Sequence, residues 1–411
     1  MSDLCHPDFV RLAGFLGFTC DGAPAFVHLR NPFGLANWTL PVVETLMILG
    51  AGLALAYAIR RLRRDRDPTN LVLWIAAVVY LLVIEPPQYF PDAFGLRGQL
   101  GTVFAHNVFT VDFMYDRLPL YIVALYPATI TLAFDVVRAV GVFERRGALL
   151  GAVCVGFVNG CFYEVFDHLG PQLRWWAWNT DNALNHPMMG SVPMTSVVIF
   201  AMLAPAALAL LVQVFVGRPV ARGTSIGGWG VAWRSLVVGA LVPVAMTILG
   251  LPTSLFTGRS AVQAVVFGIE IALLAVISAP VLLQQWRRTR RDGTEHPSQF
   301  VTVFGTLYLA VFAALWISAL PDFAGAIDGI TATGTPIGNL PYAATCFVIA
   351  AYCVVGVSTV ARRGSGVDGE PLTRLGGGDG ARQGGLTGGQ VAGQHLGGVR
   401  HQPAARRDQQ P

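Results

Sequence analysis

The chain has 411 residues, of which 54% are hydrophobic and 13% charged, with a mean hydropathy of +0.55. A water-soluble domain carries about 25% charged residues, so an ordinary cytosolic protein is excluded, as are a collagen, a coiled coil and a disulfide-stapled miniprotein. What remains is an all-α, polytopic transmembrane bundle. All 28 basic residues are arginine and the net charge is +4. In a soluble chain a basic balance points to nucleic acid. Here the arginines flank apolar runs and set orientation instead, so the expected partner is the lipid bilayer and no nucleic acid.

In chain order, residues 1–37 form an N-terminal segment with no basic stretch leading into an apolar core, so no cleavable signal peptide is expected there. Phe9 to Phe18 is apolar but too short to span, and is expected along the membrane interface. Cys5 and Cys20 fall on the same side and can form a disulfide; free and bonded forms both stand at this point. A spanning helix needs about 20 mostly apolar residues. Nine runs qualify, at 38–59, 69–85, 118–139, 147–167, 191–216, 231–251, 261–286, 299–320 and 341–361. They divide the chain into the segment 1–37, a transmembrane domain 38–361 and a Gly-, Gln- and Arg-rich tail 362–411, expected to be a disordered cytoplasmic extension. Arginines follow the odd-numbered runs: 21 lie on that side, tail included, against six on the other. The positive-inside rule then places the N-terminus outside and the C-terminus in the cytoplasm of a bacterial plasma membrane.

The two long connections on the outer side, Glu85 to Arg117 and Asp167 to Gly190, carry polar and aromatic residues and are the candidate functional segments. Carboxylates recur there at one depth. Glu44 lies about two turns into the first run and Glu85 closes the second. Asp112 and Asp116 precede the third and share a helical face if that helix begins early. Glu164, Asp167 and His168 close the fourth, again on one face. An ionisable group within a span is costly and marks a functional site by default, and a carboxylate kept from water suits general-acid work. The fourth run also holds two GxxxG pairs, Gly147/Gly151 and Gly156/Gly160, and continuing by fours from Gly156 reaches Glu164 and His168, with Asn159 and Tyr163 close by. That stripe is the expected centre of the site. Catalytic roles fall to Glu164, Asp116, Glu85 and His168, and substrate contacts to Glu44, Tyr163 and the cluster Trp175, Trp176, Trp178 and Asn179. The tryptophans read first as an interfacial belt; the alternative is a lid whose indoles line an apolar pocket or face a substrate cation.

His106, Asp112, Asp116, Glu164, Asp167, His168 and His186 include metal-ligand types, but no recognised spacing such as HExxH occurs, and neither metal nor cofactor is expected. P-loop, GxSxG and Rossmann glycine patterns are absent as well. Glu270, near the middle of the seventh run, reads either as a hydrogen-bonded structural acid or as a proton- or ion-coupling site. Asp135, three residues before Arg138, is expected to make a surface ion pair.

From Tyr163 to Pro193 the chain resembles the integral membrane carotenoid-biosynthesis family that includes the 1,2-hydratases. The likeness is carried by Glu164, Trp176, Trp178, Gly190, Val192 and Pro193. It implies acid-catalysed addition of water to an isoprenoid double bond, with Glu164 as proton donor. More generally the chain resembles actinobacterial multi-pass membrane proteins. The expected function is a membrane enzyme acting on a lipid or isoprenoid by acid–base chemistry at the outer face. The alternatives are a proton- or ion-coupled transporter working through Glu270, or a non-catalytic membrane partner protein.

Overall fold

The computed structural model describes residues 4–292 and 298–364. The expected tail therefore lies outside the described residues from 365 onward. Among the described residues nine helices are long and apolar enough to cross a membrane, one for each expected run. Three small antiparallel sheets join them, so the all-α expectation describes the bundle and not its connections.

The N-terminal segment is folded. Helix α1 (Pro7–Leu16) starts with Pro7 at its first turn, where a missing N–H costs nothing, and stops at Gly17, whose φ of 88° suits glycine. Strand β1 (Val27–Leu29) follows, then helices α2 (Thr39–Asp65) and α3 (Thr69–Tyr89). α2 outruns its apolar stretch because arginine is a good helix former and the helix carries on through Arg60 to Arg64. The last turn of α3 contains Pro86 and Pro87, which have no N–H to return to the preceding turn, and the helix stops at Tyr89. Strands β2 (Phe104–His106), β3 (Val111–Phe113) and β4 (Leu118–Pro119) lead into α4 (Leu120–Ala139) and α5 (Val142–Asp167). Strands β5 (Trp176–Trp178), β6 (Met188–Met189) and β7 (Val192–Pro193) precede α6 (Ser196–Ala221). Helices α7 (Gly228–Leu249), α8 (Ser260–Asp292), α9 (Val301–Ala324) and α10 (Leu340–Gly364) complete the bundle.

α4 and α5 form its centre, with 83% and 78% of their apolar windows buried against neighbouring helices. α8 lies at the edge, with 11% buried and apolar Val265, Leu273 and Val276 exposed along it. The close approach of α5 to α6 comes from Gly156 and Gly160, which face Met202; a Cβ on Gly156 would lie 2.5 Å from the Met202 carbonyl oxygen. Asn159 Nδ2 fixes the same contact by donating to the Ala201 carbonyl at 2.8 Å. Gly147 and Gly151 do not form a helix contact as the pattern suggested. Gly147 breaks the helix with φ 84°, and Gly151 is covered by Phe143 from the turn before that break.

Two further expectations are corrected. Asp135 is completely buried, not on the surface: Arg138 Nη2 lies 2.6 Å from its Oδ1, Asn70 Nδ2 donates to it at 3.0 Å, and Arg138 also donates to the Tyr57 hydroxyl at 2.9 Å. This polar cluster ties α2, α3 and α4 together at the end of the bundle away from the sheets. Asp112 and Asp116 do not share a helical face either, because Asp112 sits in β3 and Met114, Tyr115 and Asp116 all take left-handed backbone angles, with φ of 56°, 59° and 58°.

The small sheets cover one end of the bundle, hereafter the capped end. β1 pairs with β3 and β3 with β4, while β2 pairs with β5. α1 packs on the ribbon: it buries Phe9, Leu12, Ala13 and Leu16 on Ala105 and Ala177 of β2 and β5. A Cys5–Cys20 disulfide closes the loop around it, which settles the pairing left open above.

Candidate active site

The β2–β5 ribbon is the key to the capped end. Its register sets Phe104 opposite Trp178, Ala105 opposite Ala177 and His106 opposite Trp176. Alternate side chains of a strand point to opposite faces. The two alanines therefore face α1, while Phe104, His106, Trp176 and Trp178 form one aromatic face on the other side. Asn185 braces the ribbon by donating to the carbonyls of Val103 at 2.7 Å and Asn179 at 2.8 Å.

Beneath that face lies a cleft of about 470 Å³. α3 supplies Glu85, α4 Ile122 and Tyr126, and α5 Tyr163, Phe166 and Asp167. α6 supplies Ser196 and Phe200 from a first stretch wound as a π-helix, a wide turn found disproportionately at functional sites. Phe166 and Asp167 lie three and four residues after Tyr163 and so share one side of α5 with it.

Two carboxylates meet this aromatic space. Glu85 Oε1 accepts from the Tyr126 hydroxyl at 2.8 Å, and its buried Oε2 has no hydrogen-bond partner. Asp167 Oδ2 accepts from Ser196 Oγ at 2.7 Å. The buried indole N–H groups of Trp176 and Trp178 also lack partners. His106 Nδ1 lies 3.3 Å from the Arg117 carbonyl and 3.2 Å from the Tyr89 hydroxyl. Burial holds the His106 pKa down to about 4, so the ring is neutral.

Of the residues expected at the site, Glu85, Tyr163, Trp176 and Trp178 line the cleft and the others do not. Glu164 and His168 lie on the adjoining face of α5, about 100° round the helix from Tyr163 and Asp167, and are fully buried; His168 Nε2 is 3.2 Å from Glu164 Oε2, and His168 Nδ1 accepts from the Asn339 backbone N–H at 3.2 Å. Burial lowers the His168 pKa to about 4. The pair is locked against the start of α10, where Gly338 presses on the His168 carbonyl so closely that a Cβ would lie 2.2 Å from it.

Asp116 is held by Arg30 Nη1 at 3.1 Å and His28 Nδ1 at 3.0 Å, on the far side of β3. Glu44 accepts the backbone N–H groups of Thr110 at 3.1 Å and Val111 at 3.2 Å, anchoring the loop before β3. Asp112 accepts the Phe109 N–H at 3.2 Å, and burial with Asp116 nearby pushes its pKa up to about 8. Trp175 is buried away from the cleft, stacked on Phe166 and donating to Thr39 Oγ1 at 2.8 Å. Asn179 ties strand to loop through the Thr102 carbonyl at 2.8 Å and receives Arg11 Nη2 at 2.7 Å. Glu270 is half-buried on α8 and does not line the cleft, with Oε2 unpartnered.

The cleft thus adds His106, Tyr126, Asp167 and Ser196 to the expected set. The signal available for His106 was the paired spacing Phe-Ala-His and Trp-Ala-Trp, two triplets that put large rings on one strand face. Among the described residues no group of three or more His, Cys, Asp or Glu side chains converges as a metal shell. No family model, no curated protein and no solved structure matches the chain.

Proposed function

We propose that the chain is an integral membrane enzyme that acts on a lipid or isoprenoid by acid–base chemistry at the outer face of a bacterial plasma membrane. The arginine asymmetry supports an outside N-terminus and hence an outward capped end. The observation that carries the chemistry is the cleft itself: two carboxylates, Glu85 and Asp167, inside a shell of aromatic rings. An apolar chain gains by filling such walls at about 25 cal/mol per Å² of surface removed from water. Aromatic faces also stabilise a positive charge that develops on carbon.

In this reading Glu85 delivers a proton from its partnerless oxygen to one carbon of a double bond. The charge that appears on the neighbouring carbon rests among Trp176, Trp178, Phe104 and Tyr163. Water adds there and gives its proton to Asp167, which Ser196 holds in position. The resemblance to the carotenoid 1,2-hydratase family points to the same reaction class, with Glu85 in the role that the resemblance assigned to Glu164.

The test is a comparison of total lipid extracts from cells carrying the wild-type chain, the Glu85→Gln/Asp167→Asn variant and no chain. A lipid product present only with the wild type is expected. Identical extracts from all three, with both proteins present in the membrane at equal levels, would overturn the reading.

A further inference from the structure

Beside the aromatic cleft is a second cavity, of about 720 Å³, which shares Gln88 and Phe104 with it. Arg117 lines this second cavity and is 3% exposed. Its guanidinium lies between two rings, 4.0 Å from the centroid of Phe9 and 5.1 Å from that of Phe90. Nη1 donates to the Tyr115 carbonyl at 2.9 Å and Nη2 to the Leu4 carbonyl, while Nε has no partner. Among the described residues no carboxylate pairs with it: its neighbour Asp116 is taken by Arg30 and His28.

A buried guanidinium is ordinarily matched by an acid. Arg117 itself is contacted by two neutral carbonyls and two rings, and Asp116 acts on it only from beyond ion-pair distance. Burial lowers its pKa to about 10, which still leaves it charged at neutral pH. The other ionic groups of the cavity do not cancel it. Asp92 is bound by Arg97 Nε at 2.9 Å, and Arg97 Nη1 donates to Thr102 Oγ1 at 3.2 Å. His6 lines the same cavity, 3.5 Å from Asp8. Among the lining residues Arg97 and Arg117 therefore stand against Asp92 alone, and the buried Nε of Arg117 remains an unfilled donor behind the wall.

We propose that this cavity is an anion subsite for the phosphate headgroup of a lipid whose apolar chain lies in the aromatic cleft. The proposal rests on the reading of the cleft as a lipid site and adds the headgroup class. A guanidinium with free donor capacity suits a phosphate group, which accepts several charge-assisted hydrogen bonds. The two spaces adjoin, since Phe104 and Gln88 line both. The backbone of Arg117 adds a second link, since its carbonyl lies 3.3 Å from Nδ1 of His106 on the cleft side.

The experiment uses the full chain in phosphatidylcholine nanodiscs, with tryptophan fluorescence read during titration by dodecyl phosphate, dodecanol or sodium phosphate. Dodecyl phosphate is expected to bind about tenfold or more tighter than either alternative, a difference of about 1.4 kcal/mol. Arg117→Gln should remove that preference and Arg117→Lys should keep part of it. Equal binding of dodecyl phosphate and dodecanol by the wild type would overturn the proposal, and that comparison does not depend on any variant folding. Sodium phosphate binding as tightly as dodecyl phosphate would also overturn it, since the site would then take a free anion without a chain. The chemistry is separable: Glu85→Gln/Asp167→Asn should retain the phosphate preference. That preference persisting while all lipid extracts stay identical would defeat the enzyme reading and leave the subsite standing.

Discussion

Replacing Glu85 by glutamine separates a chemical role from a structural one. The two side chains have nearly the same shape. The Tyr126 hydroxyl, which donates to Oε1 at 2.8 Å, can donate to the amide oxygen equally well, and Oε2 has no partner to lose. The change also removes an ionisable group from a site that is 5% exposed. Folding stability should therefore stay within about 1 kcal/mol of wild type. A general acid, by contrast, contributes about 10²–10⁴ in rate, or ~3–5 kcal/mol of barrier. The assay is formation of the lipid product in reconstituted vesicles, read beside thermal unfolding of the same preparation. A variant with unchanged unfolding and at least a hundredfold slower turnover fits the account. A variant that keeps most of the wild-type rate refutes it, and so does one whose rate falls only in proportion to lost folded protein.

Other consequences follow from packing and burial. Arg138→Met leaves Asp135 buried beside Asn70 with no cation; it should destabilise the chain by about 3–5 kcal/mol, and a D135N/R138M double variant should recover much of that in detergent thermal melts. Gly156→Ala forces a Cβ to within 2.5 Å of the Met202 carbonyl oxygen, so a cost of about 1–3 kcal/mol is expected from overpacking, seen as a lower unfolding midpoint. His106 has a folded pKa near 4 against 6.5 ordinarily. Unfolding thus takes up a proton below about pH 6.5, and stability is lost as pH falls from there toward 4, by up to ~3 kcal/mol. The unfolding midpoint of wild type should then drop more steeply over that range than that of His106→Gln; parallel curves would contradict the burial argument.

The bundle was legible because apolar runs of spanning length leave the chain few choices. The cleft-lining face was not, and α5 shows why. The stripe Gly156, Gly160, Glu164, His168 stood out because glycine at every fourth residue marks close helix contact. A face that packs closely has no room for a substrate, and the structure uses it for that purpose: the glycines meet α6 and the Glu164–His168 pair is sealed against α10. The open face is offset by one residue, about 100° round the helix, and carries Tyr163 and Asp167. Asp116 and Glu44 were grouped with the acids of the site by depth alone. In the fold both serve local backbone and ion-pair contacts that only the strand register reveals. The ribbon itself escaped notice because three-residue strands leave too short an alternation to register beside helices of twenty residues or more.

The claim on which the account depends is that the aromatic cleft holds the apolar part of a lipid. Photo-crosslinking with a diazirine-bearing isoprenoid in native membranes, followed by peptide mapping, tests it directly. Labelling concentrated on Phe104, Tyr163, Trp176 and Trp178, and competed away by unlabelled lipid, is the predicted outcome. Labelling confined to the exposed apolar residues of α8, such as Val265 and Val276, with none under the ribbon, would contradict it.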